Sequence, residues 1–349
     1  MNFFKLKKTS NLINFVLITA IIIIFGLFIN SNRHKIFMSF NQSYIDKYMI
    51  SQDILDTEDR IKNRIFISDE DIYIASGYLY AKGSSPVDYN FQHPPFIKYL
   101  FGLYSIYFNL PLLPNIIFAI ILLFEIFLLG KLFFKSELVG LLGSLFILFD
   151  PIFKEVTIYG LLDLGQIVFV LGFLIISIFY QKKLILQGIL LGLATASKFY
   201  TPVILLLMMV YVYKLISRKI NIKNEFIVLF FSSITFYLCY WKAWPYNIFY
   251  HQAKIFKFMI DHNQATNWGG VLNMFFGGYF VWSILFITNL FMLFNKRNSI
   301  SQKFIYIIPI VYLFIMTFQL PFTRYFIMIL PFLYLSLANF IVLKFNYEK

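Results

Sequence analysis

The chain consists largely of apolar runs long enough to cross a lipid bilayer, separated by short polar turns. Of its 349 residues 60% are hydrophobic, and the run 12–30 contains no charged residue. A membrane helix needs about 20 apolar residues. Because lipid offers no partners for backbone groups and these runs do not alternate apolar with polar residues, they favour helices over a β-barrel. We therefore expect an all-α integral membrane protein, a bundle of about nine or ten helices.

The composition excludes some classes of function. A single cysteine, Cys239, excludes an intramolecular disulfide and a cysteine metal cluster. The formal net charge is +13, but the lysines and arginines lie in short turns between apolar runs, as is typical of cytoplasmic loops in membrane proteins. We therefore expect contact with membrane lipids and no nucleic-acid partner.

The basic turns predict which side of the membrane each segment faces. Three turns and the tail carry Lys or Arg with few acids: 181–183, 214–224, 295–303 and the residues after Lys344. These segments and the amino terminus are predicted to be cytoplasmic. The run 12–30 is predicted to remain as a first helix, since no cleavage site follows it. A long loop, 31–95, and a second segment, 241–268, are then extracytoplasmic in a single transmembrane domain, 1–349, of the cell membrane.

The first extracytoplasmic loop holds nine of the 17 acids, and three of them are consecutive, 69–71. Ser68 three residues before Asp71 is typical of a capped helix start, apolar residues follow at helical spacing, and Gly83 can end the helix. We expect an amphipathic juxtamembrane helix here. Capping explains one or two of the acids, but not the rigid His-Pro-Pro of 93–95 that leads directly into the next apolar run.

Two stretches of this loop, DEDIYIASGYLYAKG and HPPFIKYL, resemble motifs of the polyprenyl-phosphate-sugar-dependent glycosyltransferases with the GT-C fold. The resemblance is closest to the protein O-mannosyltransferase (dolichyl-phosphate-mannose-protein mannosyltransferase) family. Three later stretches are similar to family motifs in the same order: YGLLDLGQIVF with Asp163, ATASKFYTP with Lys198, and TRYFIMILPFLY with Arg324. The resemblance therefore extends, more weakly, along most of the chain.

The resemblance implies a hexosyltransferase that moves a hexose, most simply mannose, from a polyprenyl or dolichyl phosphate to an acceptor hydroxyl, with protein Ser or Thr favoured. It implies Asp69 as the general base, and we expect Glu70 to orient the base or the sugar. One carboxylate suffices, because a phosphate leaving group needs no protonation. The residues expected to bind the donor phosphate or the substrate are His93, Lys98, Asp163, Lys198 and Arg324. For Lys98 and Lys198 a second interpretation has equal weight, namely that they anchor the protein at the membrane interface.

Several alternatives remain open at this level. The acceptor could be a lipid or a glycan, as for a lipid A aminoarabinose transferase. The chain could also be a non-enzymatic transporter or flippase, although transporters usually carry charges at mid-membrane in repeated halves. No cofactor and no metal ligand are predicted; a divalent metal held by Glu70 and a histidine stays an open alternative, although these residues lack a regular ligand spacing. Glu125, inside an apolar run, is either functional or a buried hydrogen-bonding group.

Overall fold

The computed structural model describes residues 2–54, 65–244, 247–263, 269–318 and 321–347. In these ranges the regular structure is helical, and an isolated β-bridge pairs Ser51 with Ile65. The prediction of an all-α protein is confirmed. The predicted segments 31–95 and 241–268 fall partly outside the described residues, which omit 55–64, 245–246 and 264–268.

The α-helices of the described residues are named in chain order. The first nine are α1 (Asn2–Ser31), α2 (Arg33–Ile36), α3 (Ser43–Met49), α4 (Asp69–Lys82), α5 (Phe96–Tyr107), α6 (Leu113–Phe133), α7 (Glu137–Ile147), α8 (Pro151–Ile158) and α9 (Asp163–Phe179). They are followed by α10 (Leu184–Thr195), α11 (Thr201–Ile216), α12 (Ile222–Cys239), α13 (Ile248–Asn263), α14 (Gly270–Gly278), α15 (Phe280–Phe294), α16 (Ile300–Met316) and α17 (Leu330–Tyr347). Short 3₁₀ helices cover Trp241–Ala243 and Thr323–Met328.

Three described helices are long and apolar enough to cross a membrane, namely Asn11–Ser31 within α1, α6 and α12. Two pairs of consecutive helices are long and apolar enough to cross a membrane only when each pair is taken together. These are α8–α9 and α14–α15, whose two helices meet at bends of 111° and 103°. Five further apolar helices have 10–17 residues. The chain is therefore a multi-pass helical membrane protein. The predicted nine or ten spans would require the shorter helices to cross as well, and that count stays a prediction.

The chain divides into two compact units. We call residues 1–32, 121–155 and 267–349 the terminal unit, and residues 33–120 and 156–266 the loop unit. Each is described by itself, and the prediction of a single domain stays a prediction.

Close backbone contact joins α6 to α7 in the terminal unit. A Cβ at Gly130 would lie 2.2 Å from the Cα of Gly140, so neither position tolerates a side chain. Small residues at a crossing allow membrane helices to approach closely. After α7, the buried carboxylate of Asp150 accepts hydrogen bonds from Trp282 Nε1 and the Tyr334 hydroxyl, both at 2.9 Å. These bonds attach α15 and α17 to the start of α8.

In the loop unit, α4 begins and ends where the sequence predicts. The Ser68 hydroxyl accepts the Asp71 N–H at 3.2 Å and so caps the helix. Gly83 ends it with φ +114°, in the left-handed region that glycine adopts without a steric penalty.

The burial of α4 differs from the amphipathic pattern that the sequence predicts. The consecutive residues 72–75 are all buried, so protein surrounds the first half of the helix on every side. The physical reason is a glycine contact between helices: a Cβ at Gly77 would lie 2.0 Å from the Lys98 carbonyl oxygen, and one at Gly102 would lie 1.9 Å from the Gly77 carbonyl oxygen. Helix α5 therefore lies directly on α4 and covers one of its faces.

Candidate active site

Glu70 connects three segments of the loop unit at the start of α4. Its side chain is buried, and its Oε1 forms an ion pair with Lys35 of α2. Its Oε2 accepts the N–H of Gly160, in the turn between α8 and α9, at 2.9 Å. The Lys35 ammonium also lies 5.2 Å from the centre of the Tyr159 ring. Glu70 thus holds the start of α4 against α2 and against the α8–α9 turn.

Asp69 is the first residue of α4 and is half-buried beside Glu70. The first turn of a helix stabilises a negative charge through the helix dipole. Asp71, two residues further on, has a structural role, since its Oδ2 accepts a hydrogen bond from the Ser68 hydroxyl at 2.8 Å. A general base must be ionised and within reach of the acceptor proton. The position and partial exposure of Asp69 suit that task, and its catalytic role stays a prediction.

His93 packs between α4 and the turn that connects α10 to α11. Its ring is perpendicular to the Tyr73 ring, with centres 5.4 Å apart, and lies 4.2 Å from the centre of the Phe199 ring. Tyr73 lies three residues after Glu70, so the two side chains project from the same face of α4, near its start. The segment is fixed further because the Phe96 N–H donates to the Ala196 carbonyl at 3.0 Å.

Two predicted site residues form a buried ion pair. Lys198 Nζ lies 2.5 Å from Asp163 Oδ1, and each side chain is 3% exposed. Asp163 begins α9, and Lys198 lies in the turn between α10 and α11. One turn into α9, Gln166 donates to the Phe199 carbonyl at 2.8 Å. These bonds hold the turn next to His93.

Lys98 is fully buried in α5, which excludes the alternative of an interfacial anchor. Its Nζ donates to the carbonyl oxygens of Asn90 and His93, both at 2.8 Å, and to Asn90 Oδ1 at 3.0 Å. It also lies 3.1 Å from the Tyr80 hydroxyl. Burial lowers the pKa of Lys98 to about 7. Through these hydrogen bonds Lys98 holds the loop that ends in His93; phosphate binding by Lys98 stays a prediction.

Arg324 belongs to the terminal unit, in the 3₁₀ helix Thr323–Met328. Its guanidinium carbon lies 4.9 Å from the centre of the Phe322 ring. The Tyr312 hydroxyl donates to the Tyr325 carbonyl at 3.0 Å, which ties this 3₁₀ helix to α16. The predicted contact of Arg324 with a donor phosphate stays a prediction.

Sequence reasoning missed Lys35 and Gly160. Lys35 lies among the basic residues that end the first membrane helix, where a cation is unremarkable, and Gly160 is 90 residues from Glu70. No local pattern connects them. In the described ranges, no three His, Cys, Asp or Glu side chains are placed to hold a metal ion, and the divalent metal stays an open alternative.

No family model and no curated protein matches the chain. Among solved structures, ArnT from Cupriavidus metallidurans bound to undecaprenyl phosphate matches with a TM-score of 0.63 and 15% identity, over 90% of this chain and 59% of ArnT. The chain has the GT-C fold. Apo ArnT matches with a TM-score of 0.61 and 14% identity, over 85% of this chain and 57% of ArnT. The chain thus spans less than two thirds of the length of ArnT, and membership of the protein O-mannosyltransferase family stays a prediction.

Proposed function

We propose that the chain is a glycosyltransferase that moves a sugar from a polyprenyl-phosphate donor to an acceptor hydroxyl at the extracytoplasmic face of the cell membrane. The observation that carries the proposal is the start of α4, where Asp69 stands beside a Glu70 that is held by Lys35 and Gly160. The GT-C fold shared with ArnT bound to undecaprenyl phosphate supports a polyprenyl-phosphate donor. The proposed sugar is a hexose, with mannose as the first candidate.

The proposed reaction is a displacement at the anomeric carbon. The acceptor hydroxyl oxygen attacks this carbon, and the Asp69 carboxylate takes the hydroxyl proton as the bond forms. The bond between the anomeric carbon and the phosphate oxygen breaks, and its electron pair leaves with the polyprenyl phosphate. No acid is needed, because the phosphate leaves as an anion. Glu70 keeps the start of α4 in place and so orients Asp69.

Cations stabilise the negative charge on a departing phosphate. We assign that task first to Arg324, because a guanidinium can bind phosphate oxygens in pairs. His93 is assigned a contact with the donor. Two lysines hold the segments on either side of His93. Lys198 does so through its ion pair with Asp163, and Lys98 through its hydrogen bonds to loop oxygens.

Protein Ser or Thr is the first candidate for the acceptor, and a lipid or glycan hydroxyl is the second. The second candidate is compatible with the fold shared with ArnT.

The test is a transfer assay in membranes that contain the full chain. Polyprenyl phosphates with different labelled hexoses are offered with a Ser/Thr-rich protein acceptor or with a lipid acceptor. Asp69→Asn keeps the side-chain shape but removes the base, so transfer should fall by roughly 10²–10⁴-fold. Asp71→Asn, in the same helical turn, is the matched control and should stay near the wild-type rate. Equal rates for the two variants, or no transfer from any polyprenyl-phosphate donor, would overturn the proposal.

A further inference from the structure

A cavity of about 620 Å³ lies in the terminal unit where the end of α15, the following turn and the end of α17 meet. This volume is in the range of small-molecule sites, about 300–1,000 Å³. Two cations, Arg297 and Lys344, line it, and both are exposed. No acid occurs among the described residues of the lining. The described part of the lining therefore carries positively charged side chains and no acid.

One wall of the cavity is apolar. Phe291 and Phe294 line it and are 60% and 77% exposed. The Phe291 ring is perpendicular to that of Phe340, with centres 5.8 Å apart. Aromatic rings exposed to this degree beside cations suit a ligand with a charged group at one end and hydrocarbon at the other.

The polar part of the lining is well fixed. Asn298 is buried, and its Nδ2 donates to the Met292 carbonyl at 2.6 Å. Ser299 and Gln302 form a reciprocal capping box at the start of α16, with the Ser299 N–H donating to Gln302 Oε1 at 2.9 Å. The turn that carries Arg297 is thus held at both ends, and the amino-terminal end of α16 adds partial positive charge.

We propose that this cavity binds the headgroup of an anionic phospholipid. The phosphate lies against Arg297 and Lys344, and an acyl chain follows the wall formed by Phe291 and Phe294. The turn 295–303 is predicted to be cytoplasmic, and anionic lipids of the cytoplasmic leaflet attract basic segments next to membrane helices. The site is independent of sugar transfer and of the residues at the start of α4.

The proposal is tested by native mass spectrometry of the purified full chain in a non-ionic detergent. Phosphatidylglycerol is compared with phosphatidylcholine of the same acyl chains, and the anionic lipid is expected to bind more tightly. Each cation near an anionic lipid contributes a factor of about five, so Arg297→Gln with Lys344→Gln should weaken phosphatidylglycerol binding about thirtyfold. The matched control is Lys182→Gln with Lys183→Gln, which removes two cations from another basic turn and should leave this binding unchanged.

Two further measurements distinguish loss of binding from loss of folding, and a lipid from free phosphate. Arg297→Lys with Lys344→Arg preserves both charges and should retain binding, which separates loss of charge from loss of folding. Inorganic phosphate at the same concentration as the lipid should not displace phosphatidylglycerol. Equal binding of both lipids, equal loss in the control variant, or displacement by inorganic phosphate would each overturn the proposal.

Discussion

The Oε2 of Glu70 accepts a hydrogen bond from the N–H of Gly160 at 2.9 Å, although 90 residues separate the two in the chain. The other carboxylate oxygen is paired with Lys35. One buried side chain therefore fixes the start of α4, where the proposed base Asp69 lies, to two other segments of the loop unit.

Replacement of Glu70 should show how strong this connection is. Glu70→Ala leaves the buried Gly160 N–H without its acceptor, which should lower the free energy of unfolding by about 1–3 kcal/mol. Glu70→Gln retains a carbonyl oxygen that can accept this N–H, so it should lower the free energy of unfolding by less than Glu70→Ala does. The measurement is thermal unfolding of the purified chain. Glu137→Ala is the control, since Glu137 pairs with Lys131 at the surface, with side chains 47% and 49% exposed; a surface pair contributes only about 0–1 kcal/mol. Equal shifts for the two alanine variants would contradict the structural role of Glu70.

The ion pair between Asp163 and Lys198 should behave as a buried pair. Lys198→Met leaves the Asp163 carboxylate buried beside an apolar side chain, which should cost about 3–5 kcal/mol. The double variant with Asp163→Leu should recover much of this loss, because no unpaired charge remains. Thermal unfolding of the wild type, both single variants and the double variant measures the coupling. Additive losses would show that the two side chains act independently.

Arg324 should contribute to binding of the lipid-phosphate donor. Arg324→Ala removes one charge-assisted contact with phosphate, worth roughly 1.5–3 kcal/mol, and should lower donor affinity about tenfold to a hundredfold. Lys131→Ala, on the side predicted to be cytoplasmic, is the control. Affinity is measured from the donor dependence of transfer. A wild-type donor dependence in the Arg324 variant would remove this residue from the site.

His251 should make the stability of the chain depend on pH. The residue is 2% exposed in α13, and its ring packs edge-on against those of Phe91 and Tyr240. Burial, followed by the charge of Lys254, lowers the pKa of His251 to about 4. An unfolded histidine titrates near 6.5. Between these values the unfolded chain binds more protons, so the free energy of unfolding decreases as pH falls through this window, by at most about 1.4 kcal/mol per pH unit.

His251→Phe should remove this contribution. Among the described residues neither ring nitrogen has a hydrogen-bond partner, so a phenyl ring loses no such bond. Melting curves between pH 4.5 and 7.5 compare the stability of the variant with that of the wild type, and the difference should change as pH rises toward the unfolded pKa and become constant above it. A constant difference across the range would show that His251 does not titrate on unfolding.

The orientation in the membrane is predicted from the basic turns and can be measured with single cysteines. In a Cys239→Ser background, a cysteine replaces one of three exposed lysines, Lys82, Lys257 or Lys296. An impermeant thiol reagent added to sealed cells should label the first two and not the third. Labelling of Lys296→Cys before lysis would reverse the predicted sidedness.

Much of the local structure could be predicted from the sequence, because it depends on neighbouring residues. Continuous apolar runs require helices in lipid, whatever their partners. The start and end of α4 follow from Ser68 and Gly83, since capping involves residues within one turn and a left-handed backbone suits glycine. Asp69 was singled out because a short contiguous motif resembles one of a glycosyltransferase family, and its role stays a prediction.

Tertiary structure decided what each charged side chain contacts. The sequence named Lys98 and Lys198 as candidate phosphate ligands, which stays a prediction, but it did not show that Lys98 donates to loop oxygens or that Lys198 pairs with Asp163. Likewise, the amphipathic pattern expected for α4 was lost because Gly77 and Gly102 let α5 lie against it. These contacts join segments far apart in the chain, and the free energy that selects them comes from close packing and from the pairing of buried polar groups between helices, which no short stretch of residues encodes. The sequence by itself therefore determined the helical membrane fold and the acidic start of α4, and the packing of distant helices decided which charges hold the structure together.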